Sequence, residues 1–108
     1  MKLALIGYGK MGKTVEEIAK SRQHSIVYIS SGELDIDQLK TADVAIDFSV
    51  PEAAFNNIAT CLKHDVAVVS GTTGWLNKFD EAVNYCKSCS GRFLYASNFS
   101  VGVNVFFE

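Results

Sequence analysis

The run from Gly7 to Gly12, GYGKMG, is the feature that most restricts the fold of this chain. It follows an apolar stretch, KLALI, and precedes a segment whose apolar residues recur with helical spacing. In that context Gly7 permits a tight turn, Gly9 lets the backbone approach a pyrophosphate, and Gly12 lets a helix pack closely on a strand. The start of the helix offers N–H groups and a partial positive charge to phosphates. The motif therefore predicts a strand, a turn and a helix that together bind a dinucleotide.

The rest of the chain repeats the alternation of strand and helix. Apolar runs predict strands at 2–6, 25–30, 43–48, 66–69 and 92–96, and helical spacing predicts helices from 11, over 49–63 and over 76–86, with at most a short helix in 35–41. Ser49 and Glu52 have the spacing of a capping box, with Pro51 in the first turn. The strands are almost continuously apolar, as expected when both faces of a parallel sheet are covered. We therefore predict a doubly wound α/β fold, a Rossmann-like dinucleotide-binding domain.

The composition excludes several classes of protein. The chain has 108 residues, the size of one domain, and 48% of them are hydrophobic, which is enough for a packed core. A net charge of −2 offers no attraction to nucleic acid or to anionic membranes. No apolar stretch approaches the roughly 20 residues that span a bilayer, so we expect a cytoplasmic protein without a nucleic-acid or membrane partner. Three cysteines fit reduced thiols better than disulfides, and they are too few for a structural zinc site.

Small, hydrogen-bonding residues follow four of the five predicted strands. Open α/β sheets bind ligands at the carboxyl ends of their strands, so these loops are expected to form one cofactor cleft. They are the glycine motif, Phe48-Ser49, Gly71-Thr72-Thr73-Gly74 and Ser97-Asn98-Phe99.

The end of the second strand leaves the choice of cofactor open. An acidic residue there favours NAD, whereas arginine accommodates the extra phosphate of NADP. The sequence offers Ser30 and Ser31, with Glu33 a little further on. Serine can hydrogen-bond to a hydroxyl or to a phosphate, so NADH and NADPH are both retained.

No residue is predicted to be catalytic. His24 and His64 follow predicted helices, where a cation near a helix C-terminus is the simpler interpretation. No serine lies in a nucleophile elbow, and Asp47 is predicted to be a structural hydrogen-bonding residue. No metal site is predicted.

Together these motifs resemble the dihydrodipicolinate reductase family of lysine and diaminopimelate biosynthesis, in its N-terminal cofactor-binding domain. The resemblance rests on GYGKMG, IDFSVPEA at 46–53, VSGTTGW at 69–75 and SNFSVGVNV at 97–105, which span the chain in the family's order. It implies a cofactor, NADPH or NADH, that passes hydride to 4-hydroxy-tetrahydrodipicolinate, a small dicarboxylate. Thr73 would also lie near substrate. The implied cofactor-binding residues are Gly7, Tyr8, Gly9, Lys10, Met11, Gly12, Ser31, Phe48, Ser49, Gly71, Thr72, Thr73, Ala96, Ser97, Asn98 and Phe99.

The resemblance also implies that the chain is truncated. In the family, residues like 97–108 form a hinge and the start of a long helix that leads into a substrate-binding domain carrying the catalytic histidine and lysine. The alternation of Val101, Val103 and Val105 leaves a strand open as the alternative to that helix. The chain is therefore expected to be one dinucleotide-binding domain, 1–108, inactive alone and prone to form a homo-oligomer. Two alternatives stay open: a free-standing dinucleotide-binding sensor, and the cofactor domain of another amino-acid or semialdehyde dehydrogenase.

Overall fold

Five parallel strands form the centre of the computed structural model, which describes residues 1–96 and the backbone of residues 106 and 107. The strands are β1 (Lys2–Ile6), β2 (Ser25–Ser30), β3 (Val44–Asp47), β4 (Ala67–Ser70) and β5 (Phe93–Tyr95). The helices are α1 (Lys10–Ser21), α2 (Ile36–Leu39), α3 (Pro51–Lys63) and α4 (Phe79–Ser88), with a 3-10 turn at Leu76–Lys78. The predicted doubly wound α/β fold is confirmed, and every predicted strand is present within one or two residues of its expected ends.

The strand order is β2-β1-β3-β4-β5. β2 lies on one side of β1, and β3, β4 and β5 follow one another on the other side. Because parallel crossovers are right-handed, this reversal places α1 on one face of the sheet and α3 and α4 on the other. The order reverses between β1 and β3, which is the position where doubly wound sheets bind their ligands.

The start of α3 differs from the sequence prediction. Val50 is the N-cap residue and makes no side-chain capping bond, and Pro51 is the first helical residue as expected. The hydroxyl of Ser49 donates instead to Oδ1 of Asp47 at 2.6 Å. The predicted capping box at Ser49 and Glu52 is therefore wrong, because a buried carboxylate competes successfully for the hydroxyl.

The core lies between the sheet and the helices α2, α3 and α4. It contains the alternate strand residues Ala45, Val68 and Phe93 together with the predicted helix residues Ala54, Ile58 and Leu62. A cluster of four aromatic residues, Trp75, Phe79, Phe93 and Tyr95, closes one end of the core. The ring centroids of Trp75 and Phe79 lie 6.1 Å apart, and each of these two rings lies 6.0 to 6.2 Å from those of Phe93 and Tyr95. Trp75 is only 2% exposed, so the loop after β4 is anchored in this core.

The opposite face of the sheet is covered unevenly. Leu3 and Leu5 of β1 are buried there, and α1 packs on β1 and β2. The residues that continue this face across β3, β4 and β5 are only partly buried, and no described helix packs on them; they are Val44, Ile46, Ala67, Val69 and Leu94. We call this set the open apolar face.

A sixth strand, β6 (Phe106–Phe107), pairs antiparallel with β5, with Tyr95 opposite Phe106. The predicted start of a helix at this position is therefore wrong for Phe106 and Phe107. The edge of β5 presents backbone N–H and C=O groups that another strand can satisfy, and aromatic residues favour strands. The predicted hinge at 97–105 lies outside the described residues. Within the described part of the chain, no helix has the length and apolarity required to cross a membrane.

Candidate functional site

The carboxyl ends of four strands lie side by side at one edge of the sheet. Ile6 is paired with Asp47, Asp47 with Ser70, and Ser70 with Tyr95. The first residue after each strand continues the ladder: the N–H groups of Gly7, Phe48, Gly71 and Ala96 each donate to the neighbouring strand at 2.7 to 2.9 Å. The prediction that these loops share one edge is confirmed for their described residues.

The glycine loop has the geometry that its sequence predicts. Gly7 has φ of +89°, and a Cβ atom there would collide with the carbonyl oxygen of Phe48. A Cβ atom on Gly12 would lie 2.7 Å from the carbonyl oxygen of Gly7. At Gly9 such an atom would meet nothing within 4 Å, so this side of the loop is open to a ligand. The first turn of α1 begins at Lys10, with its amides free of intrahelical partners. The loop therefore fits a pyrophosphate.

The three residues between the glycines, Tyr8, Lys10 and Met11, differ in burial and contacts. Lys10 is exposed and Met11 is half-buried. The side chain of Tyr8 lies along α1, where its hydroxyl donates to Oε1 of Glu16 and Nζ of Lys13 lies 5.7 Å from its ring centroid. This hydrogen bond is the main cause that lowers the pKa of Glu16 and raises the pKa of Tyr8.

Asp47 is the centre of a hydrogen-bond network beneath this edge. It is fully buried, and its Oδ1 accepts from the hydroxyl of Ser49 at 2.6 Å and from the amide side chain of Asn57 at 3.4 Å. Its Oδ2 accepts from the hydroxyls of Ser70 at 3.0 Å and Thr72 at 2.9 Å. The prediction that Asp47 is a structural hydrogen-bonding residue is confirmed. One carboxylate thus ties together β3, β4, α3 and both following loops.

The loop after β4 separates its two threonines. Thr72 is 4% exposed, with its hydroxyl on Asp47 and its carbonyl oxygen accepting from Nε1 of Trp75 at 2.7 Å. Thr73 and Gly74 are exposed. Of the two threonines, Thr73 is therefore the one exposed to solvent.

The loop after β2 carries acidic but no basic residues. Ser30 is buried, with its hydroxyl 3.2 Å from the carbonyl oxygen of Gly32, whereas Ser31 and Glu33 are exposed. Residues 30–37 contain three carboxylates and no lysine or arginine. Beside this loop is an open depression of about 530 Å³ between it and α3, lined by Gly32, Glu33, Leu34, Ile36, Glu52, Ala53, Asn56, Asn57 and Thr60.

The fourth loop is described only at its start. Ala96 is buried and donates its N–H to the carbonyl oxygen of Ser70 at 2.9 Å. The predicted site residues Ser97, Asn98 and Phe99 lie outside the described residues.

The sequence analysis missed two contributors to the site. The side-chain amide of Asn57, in the second turn of α3, donates to both Asp47 and Ser49. The only sequence feature that could have indicated this contact is the position of Asn57 eight residues after Ser49. Trp75 holds the carbonyl oxygen of Thr72, and its place directly after GTTG gave no indication of burial.

The two histidines lie away from this edge. His24 and His64 come just before β2 and β4, at the opposite ends of the strands. Cys61, Cys86 and Cys89 are free thiols. Burial, with a smaller contribution from the charge of Asp47, raises the pKa of Cys61 to about 12. No cluster of metal-ligating side chains occurs among residues the structure describes.

Comparison with known proteins identifies relatives of the whole chain. Residues 1–99 match the family described as dihydrodipicolinate reductase, N-terminus. The 4-hydroxy-tetrahydrodipicolinate reductase of Christiangramia forsetii is 56% identical over the whole of this chain, which covers 46% of that protein. A reductase of the same name from Psychrobacter arcticus is 45% identical over 65% of this chain and 26% of its own length. The chain thus spans less than half the length of these curated relatives.

Solved structures share the fold. Dihydrodipicolinate reductase from Paenisporosarcina sp. TG-14, with bound dipicolinate, superposes on 94% of this chain with a TM-score of 0.77 at 20% identity, covering 48% of that protein. An oxidoreductase from Agrobacterium radiobacter, solved with NAD+, gives a TM-score of 0.73 at 16% identity over 92% of this chain and 36% of its own. At these identities the likeness shows the fold alone.

Proposed function

The chain belongs to the dihydrodipicolinate reductase family, and we propose that it is the part of such a reductase that binds NADH or NADPH. The whole protein would transfer hydride to 4-hydroxy-tetrahydrodipicolinate in the biosynthesis of lysine and diaminopimelate. The observation that carries the proposal is the open glycine loop at the point where the strand order reverses, between β1 and β3.

The described residues fit a dinucleotide along the carboxyl edge of the sheet. Gly9 and the first amides of α1 would hold the pyrophosphate, because they combine an open surface with the positive end of a helix dipole. The depression beside Gly32 is a concave place for the adenosine. Ala96, Gly71 and Thr73 would face the nicotinamide end, and the predicted residues Ser97, Asn98 and Phe99 follow Ala96 in the sequence.

The charge of the loop after β2 favours NADH over NADPH. An additional phosphate on the ribose would approach Ser31, with Glu33 and Asp35 in the same loop, Asp37 in the first turn of α2, and no cation within 30–37. A carboxylate favours a ribose hydroxyl and repels a phosphate. We expect NADPH to bind more weakly, with a difference that shrinks as salt is added.

The nicotinamide supplies the hydride when it is bound, and the task of this chain is to orient it. Reduction of the proposed substrate also needs a proton donor. Neither histidine lies at the carboxyl edge, and Asp47 is buried and accepts hydrogen bonds only. Within the described residues Thr73 is exposed and would contact substrate, but its hydroxyl is no acid. We therefore propose that the proton donor belongs to another part of the reductase. We also propose that the reductase is cytoplasmic.

The open apolar face supports a further part of the proposal. Parallel sheets are normally covered on both sides, and this face is covered only over β1 and β2 by the described helices. In the whole reductase, more of the chain would cover it. The 108-residue chain alone is expected to form a homo-oligomer through it.

Calorimetric titration of the 108-residue chain with NADH and with NADPH tests the proposal. We expect one site per chain, tighter binding of NADH, and loss of binding in a Gly9→Asp variant that places a carboxylate at the pyrophosphate. A folded chain that binds neither coenzyme would contradict the proposal. Oxidation of NADH by the chain alone in the presence of substrate would contradict the separate location of the proton donor.

The free-standing sensor remains a second candidate because it would use the same glycine loop. It differs in needing no substrate. In the whole protein that contains this chain, an increase in NADH affinity of roughly tenfold on adding dipicolinate supports a reductase site, whereas no increase supports a sensor. The third interpretation, the cofactor domain of a different dehydrogenase, is not supported by the family match over residues 1–99.

A further inference from the structure

We propose that Asp47 is a positioning residue, whose buried carboxylate holds the loops after β3 and β4 in the arrangement that the dinucleotide meets. Hydrogen bonds within the chain are the evidence that Asp47 holds the two loops. The effect of Asp47 on coenzyme binding rests on the proposed function.

The donors to Asp47 come almost entirely from the two loops and the strand ends beside them. Ser49 is bound twice, through its hydroxyl at 2.6 Å and through its backbone N–H at 3.3 Å, both to Oδ1. Thr72 donates its hydroxyl to Oδ2 at 2.9 Å. The backbone carbonyl of Asp47 also accepts from the N–H of Gly71 at 2.8 Å. One residue thus contacts the loop on its own strand and the loop on the next.

The rest of the network fixes the backbone of the second loop. The N–H of Thr72 lies 3.4 Å from Oγ of Ser70, and Ser70 itself donates to Asp47 at 3.0 Å. The carbonyl oxygen of Thr72 accepts from Trp75. With Thr72 held by its side chain, its N–H and its carbonyl, the next residue, Thr73, is directed outward to the exposed edge.

The chemistry of the network requires a carboxylate. All the groups that approach its two oxygens are N–H or O–H donors, and an ionised carboxylate accepts on both oxygens. An asparagine at this position would replace one of the two oxygens by an NH₂ group, which would then face at least two hydrogen-bond donors. No ion pair is present at Asp47 among the described residues, so these donors are what stabilise its buried charge. Hydrogen bonds to charged groups are stronger than neutral ones, which makes the carboxylate an effective clamp.

A purely structural role would give a different pattern of effects. If Asp47 only stabilised the core, its replacement would lower the free energy of unfolding but leave the affinity of the folded molecules unchanged. If it positions the loops, the folded molecules themselves would bind coenzyme less well. Ile58→Val provides the matched control, because Ile58 is fully buried in α3 and its apolar side chain has no atom that could join the hydrogen-bond network.

The experiment compares Asp47→Asn, Thr72→Val and Thr72→Ser with Ile58→Val and the unaltered chain. Thr72→Val removes the hydroxyl with little change of shape, and Thr72→Ser restores it. Two properties are measured where every variant is folded: hydrogen exchange of the amides of Ser49, Gly71 and Thr72, and the dissociation constant for NADH.

We expect Asp47→Asn to speed exchange at these amides and to raise the NADH dissociation constant by roughly tenfold or more. Thr72→Val should show the same direction, Thr72→Ser should stay within about twofold of the unaltered chain, and Ile58→Val should change neither property selectively. If Asp47→Asn does not fold, the comparison of Thr72→Val with Thr72→Ser decides whether the network positions the loops.

Unchanged exchange at these amides in both Asp47→Asn and Thr72→Val would overturn the proposal, as would faster exchange with unchanged NADH affinity. An unaltered chain that does not bind NADH would contradict the proposed function instead. In that case the exchange measurements alone decide whether Asp47 holds the loops.

Discussion

The indole N–H of Trp75 donates to the carbonyl oxygen of Thr72 at 2.7 Å, and both residues are buried. The bond links Trp75, which packs against Phe79, Phe93 and Tyr95, to the loop that follows β4. Packing on one side of the sheet and the shape of the candidate site are therefore coupled through one side chain.

Replacing Trp75 by phenylalanine should lower the free energy of unfolding by about 1–3 kcal/mol, because it leaves the carbonyl oxygen of Thr72 buried without this donor. Urea unfolding followed by circular dichroism measures the change. Leu76→Ala is the control: Leu76 is 54% exposed, so a change within about 0.5 kcal/mol is expected. Equal stability of Trp75→Phe and the unaltered chain would show that the hydrogen bond contributes nothing.

Two glycines of the first loop should respond differently to alanine. Gly9→Ala introduces a methyl group into open space, so it should cost less than about 1 kcal/mol of stability yet weaken NADH binding by obstructing the pyrophosphate. Gly12→Ala should reduce both stability and binding, since its Cβ would lie 2.7 Å from the carbonyl oxygen of Gly7. Thermal unfolding and calorimetry on the two variants check this contrast. Loss of stability in Gly9→Ala but not in Gly12→Ala would reverse the assignment of their roles.

The Cys61 thiol should resist alkylation in the native chain. Its pKa is raised to about 12, mainly by burial, so roughly one molecule in ten thousand carries the thiolate at pH 8. Iodoacetamide labelling with peptide mapping should show that Cys61 reacts only as the chain unfolds, and later than the partly buried Cys89. Equal labelling rates for the two cysteines in native protein would contradict the burial of Cys61.

The hydrogen bond between Tyr8 and Glu16 should give a defined pH dependence. The lowered pKa of Glu16 means that its contribution to stability is present above its unfolded-state pKa and is lost as the pH falls through the lowered value. The raised pKa of Tyr8 means that its contribution is present below about pH 10 and is lost as the pH rises through the folded value. The stability difference between the unaltered chain and Tyr8→Phe should therefore be constant at neutral pH and shrink at both extremes.

Titration of the side-chain carboxyls by NMR tests the acidic half of that prediction directly. In Tyr8→Phe the pKa of Glu16 should rise toward its ordinary value, while the ion pair with Lys20 at 3.3 Å remains. A Glu16 pKa that is identical in the two proteins would rule out this hydrogen bond as the cause of the shift.

The open apolar face should drive self-association, because contiguous apolar surface is seldom left bare. Val69→Thr, on that face, should shift the chain toward monomer in sedimentation velocity with little loss of stability. Val68→Thr is the matched variant on the covered face: Val68 is 1% exposed, so it should lose about 1–3 kcal/mol of stability from a buried hydroxyl. A monomeric unaltered chain would show that the face does not associate.

Local patterns in the sequence were sufficient for much of the fold. The apolar runs gave all five parallel strands, and the glycine spacing gave the turn at Gly7 and the close packing at Gly12, because each depends on residues near one another in the chain. Ser49 shows where such reasoning fails. Its spacing from Glu52 is correct for a capping box, but its hydroxyl binds Asp47, and no local pattern reveals a stronger acceptor supplied by the strand before it.

The sequence by itself determined which segments become strands and helices and which four loops could share an edge, since periodicity and glycine placement act over a few residues. Only the tertiary structure decided which side chains within those loops face the ligand. Thr72 and Thr73 are adjacent and chemically identical, yet one is buried on Asp47 and the other exposed. That difference arises from a carboxylate 25 residues earlier, brought beside them by the pairing of β3 with β4, and pairing between distant segments leaves no periodic trace in the chain.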